Sequence, residues 1–383
     1  MNFDVIVIGS GPSGSMAAIE ASRQGLRTAL IEKEKLPRRK VCAGGLVKRA
    51  TALIASDIDY PVQYHCHEIG LVISDSALAF QRQHRENLVT MVCRSAFDYA
   101  LIEHAIGHGA EVMDDCRVTC ILPQADGHKV QTDRGEFSCS YLVFADGANS
   151  RLSNQFWQDD RQLAPSIEAD VYISAEKMKA FDQHASFDFG AIQRGYGWIF
   201  PKGDHLSVGL CVFGKGSSQL QKQLDIYLQQ QGIFEDAEIK NRKGFIIPVS
   251  PRRGPYMKNR MLIVGDAAGF VDPITAEGLS HAIRSGQEAG RAIVAGFSDP
   301  VVVFGHYQDA IKEPILDELF IAKKIADVLY AVNPKWRNLL LKHYGNQFCR
   351  GMADLIEGKR SYASTLQSKK LVIRTLKKLI QSR

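Results

Sequence analysis

The chain of 383 residues is poor in cysteine, with eight and no CxxC pair. A disulfide scaffold is dense in cysteine, at roughly 8–10% of a short chain, so that class is excluded and a reducing compartment is indicated. Long apolar runs are also missing. Stretches such as Val5–Ile8 and Met261–Val264 fall far short of the roughly 18 residues that cross a bilayer. The start, MNFDVIVIGSG, lacks a cationic region followed by an apolar one, so it does not read as a signal peptide. No repeat and no low-complexity linker interrupts the chain. Acid is lacking in one place: residues 359–383 hold eight Lys and Arg and no Asp or Glu. Residues 1–358 therefore carry 39 basic against 42 acidic side chains, and the whole net charge of +5 resides in the tail.

At the N-terminus, Phe3–Ile8 reads as a strand buried on both faces, Ser15–Gln24 as a helix and Thr28–Ile31 as a second strand. Between the first strand and the helix lies Gly9-Ser10-Gly11-Pro12-Ser13-Gly14, and Glu32 ends the second strand, 18 residues after Gly14. In such a βαβ unit the first Gly allows the tight turn, the second lets backbone approach a pyrophosphate and the third packs helix on strand. The acid takes ribose hydroxyls. The chain is thus expected to bind a dinucleotide.

Further along, Arg94–Gly107 has helical apolar spacing, and Val118–Leu122, Lys129–Thr132, Glu136–Ser138 and Tyr141–Ala145 read as a meander returning to a buried strand. That strand leads into Ala145-Asp146-Gly147-Ala148-Asn149-Ser150. Several strands and a helix near Gln219–Gln230 occupy 167–248. The apolar strand Met261–Val264 then leads into Gly265-Asp266-Ala267-Ala268-Gly269. An Asp there suits a flavin ribityl hydroxyl, and a helix expected from about Thr275 would aim its positive end at the flavin ring.

GSGPSG, ADGANS and GDAAG, in this order and at these distances, resemble the FAD-binding fold of the p-hydroxybenzoate hydroxylase group over roughly residues 1–330. That resemblance implies a Rossmann-type α/β FAD-binding domain (1–60, 90–165 and 255–330) interleaved with an antiparallel-sheet substrate domain (61–89 and 166–254). A helical C-terminal region (331–383) follows. Arg94 resembles the Arg that opens a helix beside FAD in that group. Two segments resemble the geranylgeranyl reductases within it. In Gly195-Tyr196-Gly197-Trp198-Ile199-Phe200-Pro201-Lys202, followed by Gly209, the three aromatic residues share one face of a strand and form a wall suited to a long apolar ligand. Arg39-Lys40-Val41-Cys42-Ala43-Gly44-Gly45-Leu46 resembles the reductases' loop near the flavin ring. Pro273–Leu279 resembles their helix start, with Ala276 where Gly is common.

The implied cofactor site comprises Gly9, Gly11, Pro12, Ser13, Gly14, Glu32, Lys33, Arg39, Cys42, Ala43, Gly44, Arg94, Asp146, Gly265, Asp266, Gly278 and Leu279. Cys42, Tyr196 and Trp198 are the catalytic candidates, and Tyr196, Trp198 and Phe200 the substrate-binding ones. The resemblance implies an FAD-dependent reductase that saturates C=C bonds of a geranylgeranyl or other polyprenyl chain, with NAD(P)H or another reductant as a transient donor. Two alternatives share the FAD elements: a monooxygenase acting on an aromatic or apolar substrate, and a flavin electron carrier to quinone. His65-Cys66-His67 has metal-type side chains, but on a strand Cys66 points away from both His, so no metal site is expected. In the tail, Val372, Ile373, Leu376, Leu379 and Ile380 form a helical stripe among Lys370, Arg374, Lys377 and Lys378. This basic amphipathic pattern reads as a peripheral membrane contact of a cytoplasmic enzyme, or as a helix docked on the body. With no base-stacking module beside the charge, no nucleic-acid partner is expected.

Overall fold

The computed structural model describes residues 2–214 and 219–367. The tail stripe Val372–Ile380 lies outside them. Among the described residues no helix is long and apolar enough to cross a membrane.

The strand Asn2–Ile8 is the spine of an eight-stranded sheet. It pairs in parallel with Thr28–Ile31 on one side and Gly135–Phe144 on the other. Glu111–Met113 and Met261–Ile263 extend the parallel run, and the hairpin Val118–Gln124/Gly127–Thr132 continues antiparallel from Gly135–Phe144. Both faces of the spine are covered, which is why Val5, Ile6 and Val7 have no exposed surface and the strand shows no polar alternation.

The helix Pro12–Ser22 is buried along its whole length and packs against Leu279–Ala295. Two glycines permit the approach. A Cβ on Gly286 would stand 2.1 Å from the Ser13 carbonyl oxygen, and one on Gly290 2.6 Å from the Glu20 Cβ.

A second, seven-stranded sheet takes its strands from Glu68–Gln83 and Leu163–Pro248, in the order Glu238–Pro248, Leu163–Tyr172, Leu206–Val212, Gly195–Pro201, His184–Asp188, Glu68–Ile73, Leu78–Gln83. It is antiparallel except where His184–Asp188 runs parallel to Glu68–Ile73. One face is sealed by the helix Leu220–Gln230, through Leu224, Tyr227 and Leu228 against Ile167, Ile199 and Leu210. A small antiparallel sheet, Gly45–Val47, Val89–Met91 and Tyr64–Cys66, joins the two large ones.

Helices Pro300–Ile311, Glu318–Ala331 and Pro334–Glu357 complete the described chain before Tyr362–Gln367. The long helix Pro334–Glu357 lies on the second sheet, close enough that a Cβ on Gly345 would meet the Phe80 ring at 2.2 Å. That contact brings Met352, Leu355 and Ile356 to the site.

The strand expected in two pieces around Ser140 is one continuous strand, Gly135–Phe144. The helix expected from about Thr275 starts at Leu279, after Gly278. The Asp272 carboxylate accepts the N–H groups of Ile274 (2.8 Å) and Thr275 (3.1 Å), and this side-chain turn displaces the helical alternative.

Candidate active site

At Gly9 the first strand turns sharply, with φ +100° and room for no side chain, since a Cβ would stand 2.4 Å from the Ala145 carbonyl oxygen. Gly14 is equally closed, at 1.9 Å from the Gly9 carbonyl. Gly11 differs: the nearest atom to a Cβ there is Arg38 Nη2 at 3.6 Å, so the backbone is open to a ligand. Gly11 precedes the helix without a side-chain cap, and Pro12 opens it. The unpaired N–H groups of that first turn make an anion site.

Beside it Glu32 is held from four directions. Its Oε2 accepts from Ser10 N (3.1 Å), Ser10 Oγ (2.8 Å) and Arg38 Nε (3.0 Å), and Oε1 accepts from Glu34 N (3.1 Å). Burial alone would raise this carboxyl, but the Arg38 charge and the hydrogen bonds outweigh it and hold the pKa below the usual value. Arg38 also reaches Asp98 at 3.3 Å, and Asp98 clamps Arg94 through two bonds of 2.8 and 2.9 Å. A chain of alternating charge thus links Glu32 to Arg94. Lys33 and Arg39 are not brought to it. Lys33 is exposed, and the exposed Arg39 bonds Asn241 of the second sheet at 3.0 Å.

The other FAD motifs converge on the same helix start. A Cβ on Gly265, at φ +54°, would stand 2.7 Å from Ser13 Oγ, and one on Gly278 would stand 3.4 Å from Asp266 Oδ1. Asp266 therefore sits next to Gly278 and Leu279, where the helix Leu279–Ala295 begins and Glu277 Oε1 accepts from the Ser280 N–H at 2.7 Å. Asp146 accepts from Ser150 Oγ at 2.6 Å, and burial pushes its pKa up to about 6. At Gly147, φ +79°, none of the described residues comes within 4 Å of a Cβ. Closed glycines at the turns and open ones at Gly11 and Gly147 form a cradle that fits a dinucleotide.

Beyond the cradle is a cavity that opens to solvent. Three of its walls were foreseen as separate segments: Cys42–Gly45, the aromatic face Tyr196, Trp198 and Phe200, and the turn from Thr275 to Leu279. The fourth is Met352, Leu355, Ile356 and Tyr362.

The aromatic strand is buried on both sides. Gly209, directly opposite Trp198, explains the glycine that follows the aromatic motif: a Cβ there would stand 2.2 Å from the Trp198 ring. The polar atoms of the wall are engaged, Tyr196 OH with the Thr275 carbonyl (2.5 Å) and Trp198 Nε1 with Ser207 Oγ (3.2 Å). The rings therefore present apolar faces to the cavity.

Gly44, at φ +69°, is trapped: a Cβ would lie 2.2 Å from the Val92 carbonyl and 2.7 Å from Lys202 Nζ. The buried Lys202 donates to that same Val92 carbonyl at 2.7 Å, and burial lowers its pKa. The Cys42 N–H donates to Glu168 Oε1 at 3.0 Å, while Glu168 Oε2 is buried with no partner among the described residues. Burial raises Glu168 to about 7.

At the cavity's other end Arg49 Nη2 lies 2.8 Å from Glu277 and 3.9 Å from Asp272, which accepts from Tyr362 OH at 2.7 Å. His281, buried next to this cluster, is lowered to about 4 by burial and by the Arg49 charge. Asp98, Glu168, Arg49, Asp272 and Tyr362 escaped sequence reasoning. Their partners are distant in the chain and no local spacing marks them. Elsewhere, the Cys66 thiol is buried and pushed up to about 12, and His65 turns outward to bond Asn87 at 2.9 Å.

Residues 2–298 match the family model described as an FAD binding domain. The chain belongs to this FAD-binding family. It is an FAD-dependent oxidoreductase, and the expected resemblance to geranylgeranyl reductases stands. It is 31% identical to an uncharacterized protein of Methanosarcina barkeri, over 89% of this chain and 87% of that one. It is 29% identical to the chloroplastic geranylgeranyl diphosphate reductase of Oryza sativa, over 76% of this chain and 66% of that one.

Among solved structures, a geranylgeranyl bacteriochlorophyll reductase-like protein from Thermoplasma acidophilum superposes with a TM-score of 0.83 at 20% identity, covering 96% of this chain and 98% of that one. The flavin-dependent brominase Bmp2 superposes at 0.73 and 22% identity, with 94% of each chain covered. At such identities these two show the shared fold.

Proposed function

We propose that this FAD-dependent oxidoreductase saturates C=C bonds of a geranylgeranyl or other polyprenyl chain, drawing electrons from NAD(P)H or another reductant. The observation that carries the reading is the cavity itself, in which Tyr196, Trp198 and Phe200 form one wall together with the flavin-side loop Cys42–Gly45 and the turn Thr275–Leu279. Gly9, Gly11, Ser13, Gly14 and Glu32 would hold the nucleotide of FAD, and Asp146, Asp266, Gly278 and Leu279 its flavin end. When reduced, FAD supplies the hydride that bonds to one alkene carbon.

The protein's own residues set the conditions. An isolated trisubstituted alkene accepts hydride poorly, so water must be kept out and the chain held straight. The apolar ring faces do both, since their OH and N–H groups are already bonded elsewhere. If protonation of one carbon runs ahead of hydride arrival at the other, the positive charge that develops on the alkene is tolerated against the faces of Tyr196 and Trp198. The second carbon takes a proton from an acid at the cavity edge. Cys42, half-buried at the end of its loop, is the candidate, with water as the alternative. The aliphatic side chains of Met352, Leu355 and Ile356 suit the rest of a long chain.

The fold shared with a flavin-dependent brominase supports a second reading, oxygen-dependent chemistry on an aromatic or apolar substrate. A third is electron transfer to a quinone. One experiment separates them: anaerobic mixing of reduced enzyme with geranylgeranyl diphosphate, a prenylated quinone or oxygen, followed by flavin absorbance and product mass. The reductase reading expects reoxidation by a prenyl compound and a gain of two hydrogens per bond. Reoxidation by oxygen alone, with an oxygenated product, overturns it.

A further inference from the structure

We propose that Asp57, His104 and His108 bind a single zinc-type divalent ion, which clasps the connector following Thr51 onto the helix Arg94–Gly107. The two His stand one turn apart, four residues in sequence, where that helix ends and His108 caps it. Side chains so spaced share a face. Their Nε2 atoms are 3.2 Å apart, with the rings nearly perpendicular at 76°. A tetrahedral zinc with bonds of about 2.0–2.1 Å separates two ligand nitrogens by about 3.3–3.4 Å, so the imidazoles already converge as two ligands of one ion. The Asp57 carboxylate approaches from the connector, 3.7 Å from His104 Nε2, and all three ligand atoms lie within 4.8 Å of one another.

The electrostatics favour a cation and the donor set favours zinc. The negative end of the helix dipole lies at His108. Two imidazoles and one carboxylate, with water completing the shell at the surface, suit zinc or its neighbours nickel and copper. Magnesium and calcium seek all-oxygen shells.

Apolar contacts already dock the connector on this helix: Ile58 is buried, and Tyr60 meets Phe97 edge-on at 5.2 Å. A metal adds a polar clasp one turn beyond them. Counted along the helix at about 1.5 Å per residue, His104 is about 15 Å from Arg94, so the ion's effect is on stability and not on the chemistry of the cavity.

The test is titration of zinc into FAD-loaded full-length enzyme after chelation and dialysis, read by calorimetry and by thermal midpoint. Expected are one equivalent bound with micromolar or tighter affinity and a midpoint that rises with zinc. H104Q/H108Q should lose both, and D57N should bind about tenfold more weakly. Circular dichroism and the flavin spectrum of the metal-free variants, matched to wild type, exclude misfolding. If zinc does not bind at micromolar concentrations, or binds the double variant with unchanged stoichiometry and affinity, the site is refuted.

Discussion

The backbone N–H of Cys42 donates to Glu168 Oε1 at 3.0 Å, so the cavity-lining loop Cys42–Gly45 is anchored by a carboxyl group from the middle of the second sheet. Burial raises that carboxyl from 4.5 to about 7. Between those values the folded protein keeps a proton that the unfolded chain releases. The resulting stability is fully present below about pH 4.5 and is lost as pH rises through about 7, a span on the order of 3 kcal/mol. Glu168→Gln retains an acceptor for Cys42 and removes the titration. The variant's thermal midpoint should therefore gain on wild type as pH is raised from about 5 to about 8. A constant difference across that range would show that Glu168 does not titrate there.

A steric prediction concerns the two helices that support the cofactor cradle. Gly286→Ala places a methyl carbon 2.1 Å from the Ser13 carbonyl oxygen, inside the glycine-rich turn. Backbone must move, and the cost is about 2–3 kcal/mol with weakened FAD retention. Gly305 and Gly351 are also helical but have no described residue within 4 Å of a Cβ, so Ala there should stabilise by up to about 1 kcal/mol. Urea midpoints and flavin release on gel filtration distinguish the two cases.

Ala276 has φ +55°, the left-handed conformation that an L side chain adopts at a cost of about 1–2 kcal/mol. Position 276 carries Ala where the resemblance leads one to expect Gly, and its backbone is left-handed in spite of the methyl group. Ala276→Gly relieves the strain but adds freedom to the unfolded chain. A net gain of about 0.5–1 kcal/mol is expected, seen as a higher urea midpoint at unchanged slope. A lower midpoint would mean that the methyl group's contacts in the cavity wall outweigh the strain.

Local patterns were read well where local forces decide. Asn2–Ile8 and Thr28–Ile31 are apolar because both faces are covered, and the Arg94–Gly107 spacing reflects one buried face. The aromatic motif placed three side chains on one wall of the cavity, since alternation along a strand is purely geometric. What failed was the helix start near Thr275, where the Asp272 side chain competes for the backbone N–H groups. Arg38 is one of three consecutive basic residues, Arg38, Arg39 and Lys40, that composition does not rank. Only the fold shows that its guanidinium reaches Glu32 and Asp98 while Arg39 turns to Asn241. Glu168 is 126 residues from Cys42, and Glu277 is 228 from Arg49, so neither pairing leaves a trace in spacing.

That last pair gives a prediction with an internal control. Arg49 is the cation facing Glu277 and Asp272 at the inner end of the cavity. Burial pushes the Glu277 carboxyl up, but Arg49, His281 and the Ser280 bonds more than offset this, and its pKa ends below the usual value. Glu277 therefore contributes stability that is present above its unfolded pKa and lost as pH falls through the lower folded value. Arg49→Met strands two carboxylates in a low-dielectric site, at a cost of about 3–5 kcal/mol near pH 7. Without the cation, protonation becomes the easier way to neutralise Glu277, so the gap between variant and wild type should narrow as pH falls toward about 5. Adding Glu277→Gln removes one of the stranded charges. Asp272 keeps its bonds from Tyr362, Ile274 and Thr275, so the double variant should recover a large part of the loss. Urea unfolding of the four proteins in this double-mutant cycle measures the coupling. Additive losses, with no recovery in the double variant, would mean that Arg49 acts through packing on the cavity wall and not through its charge.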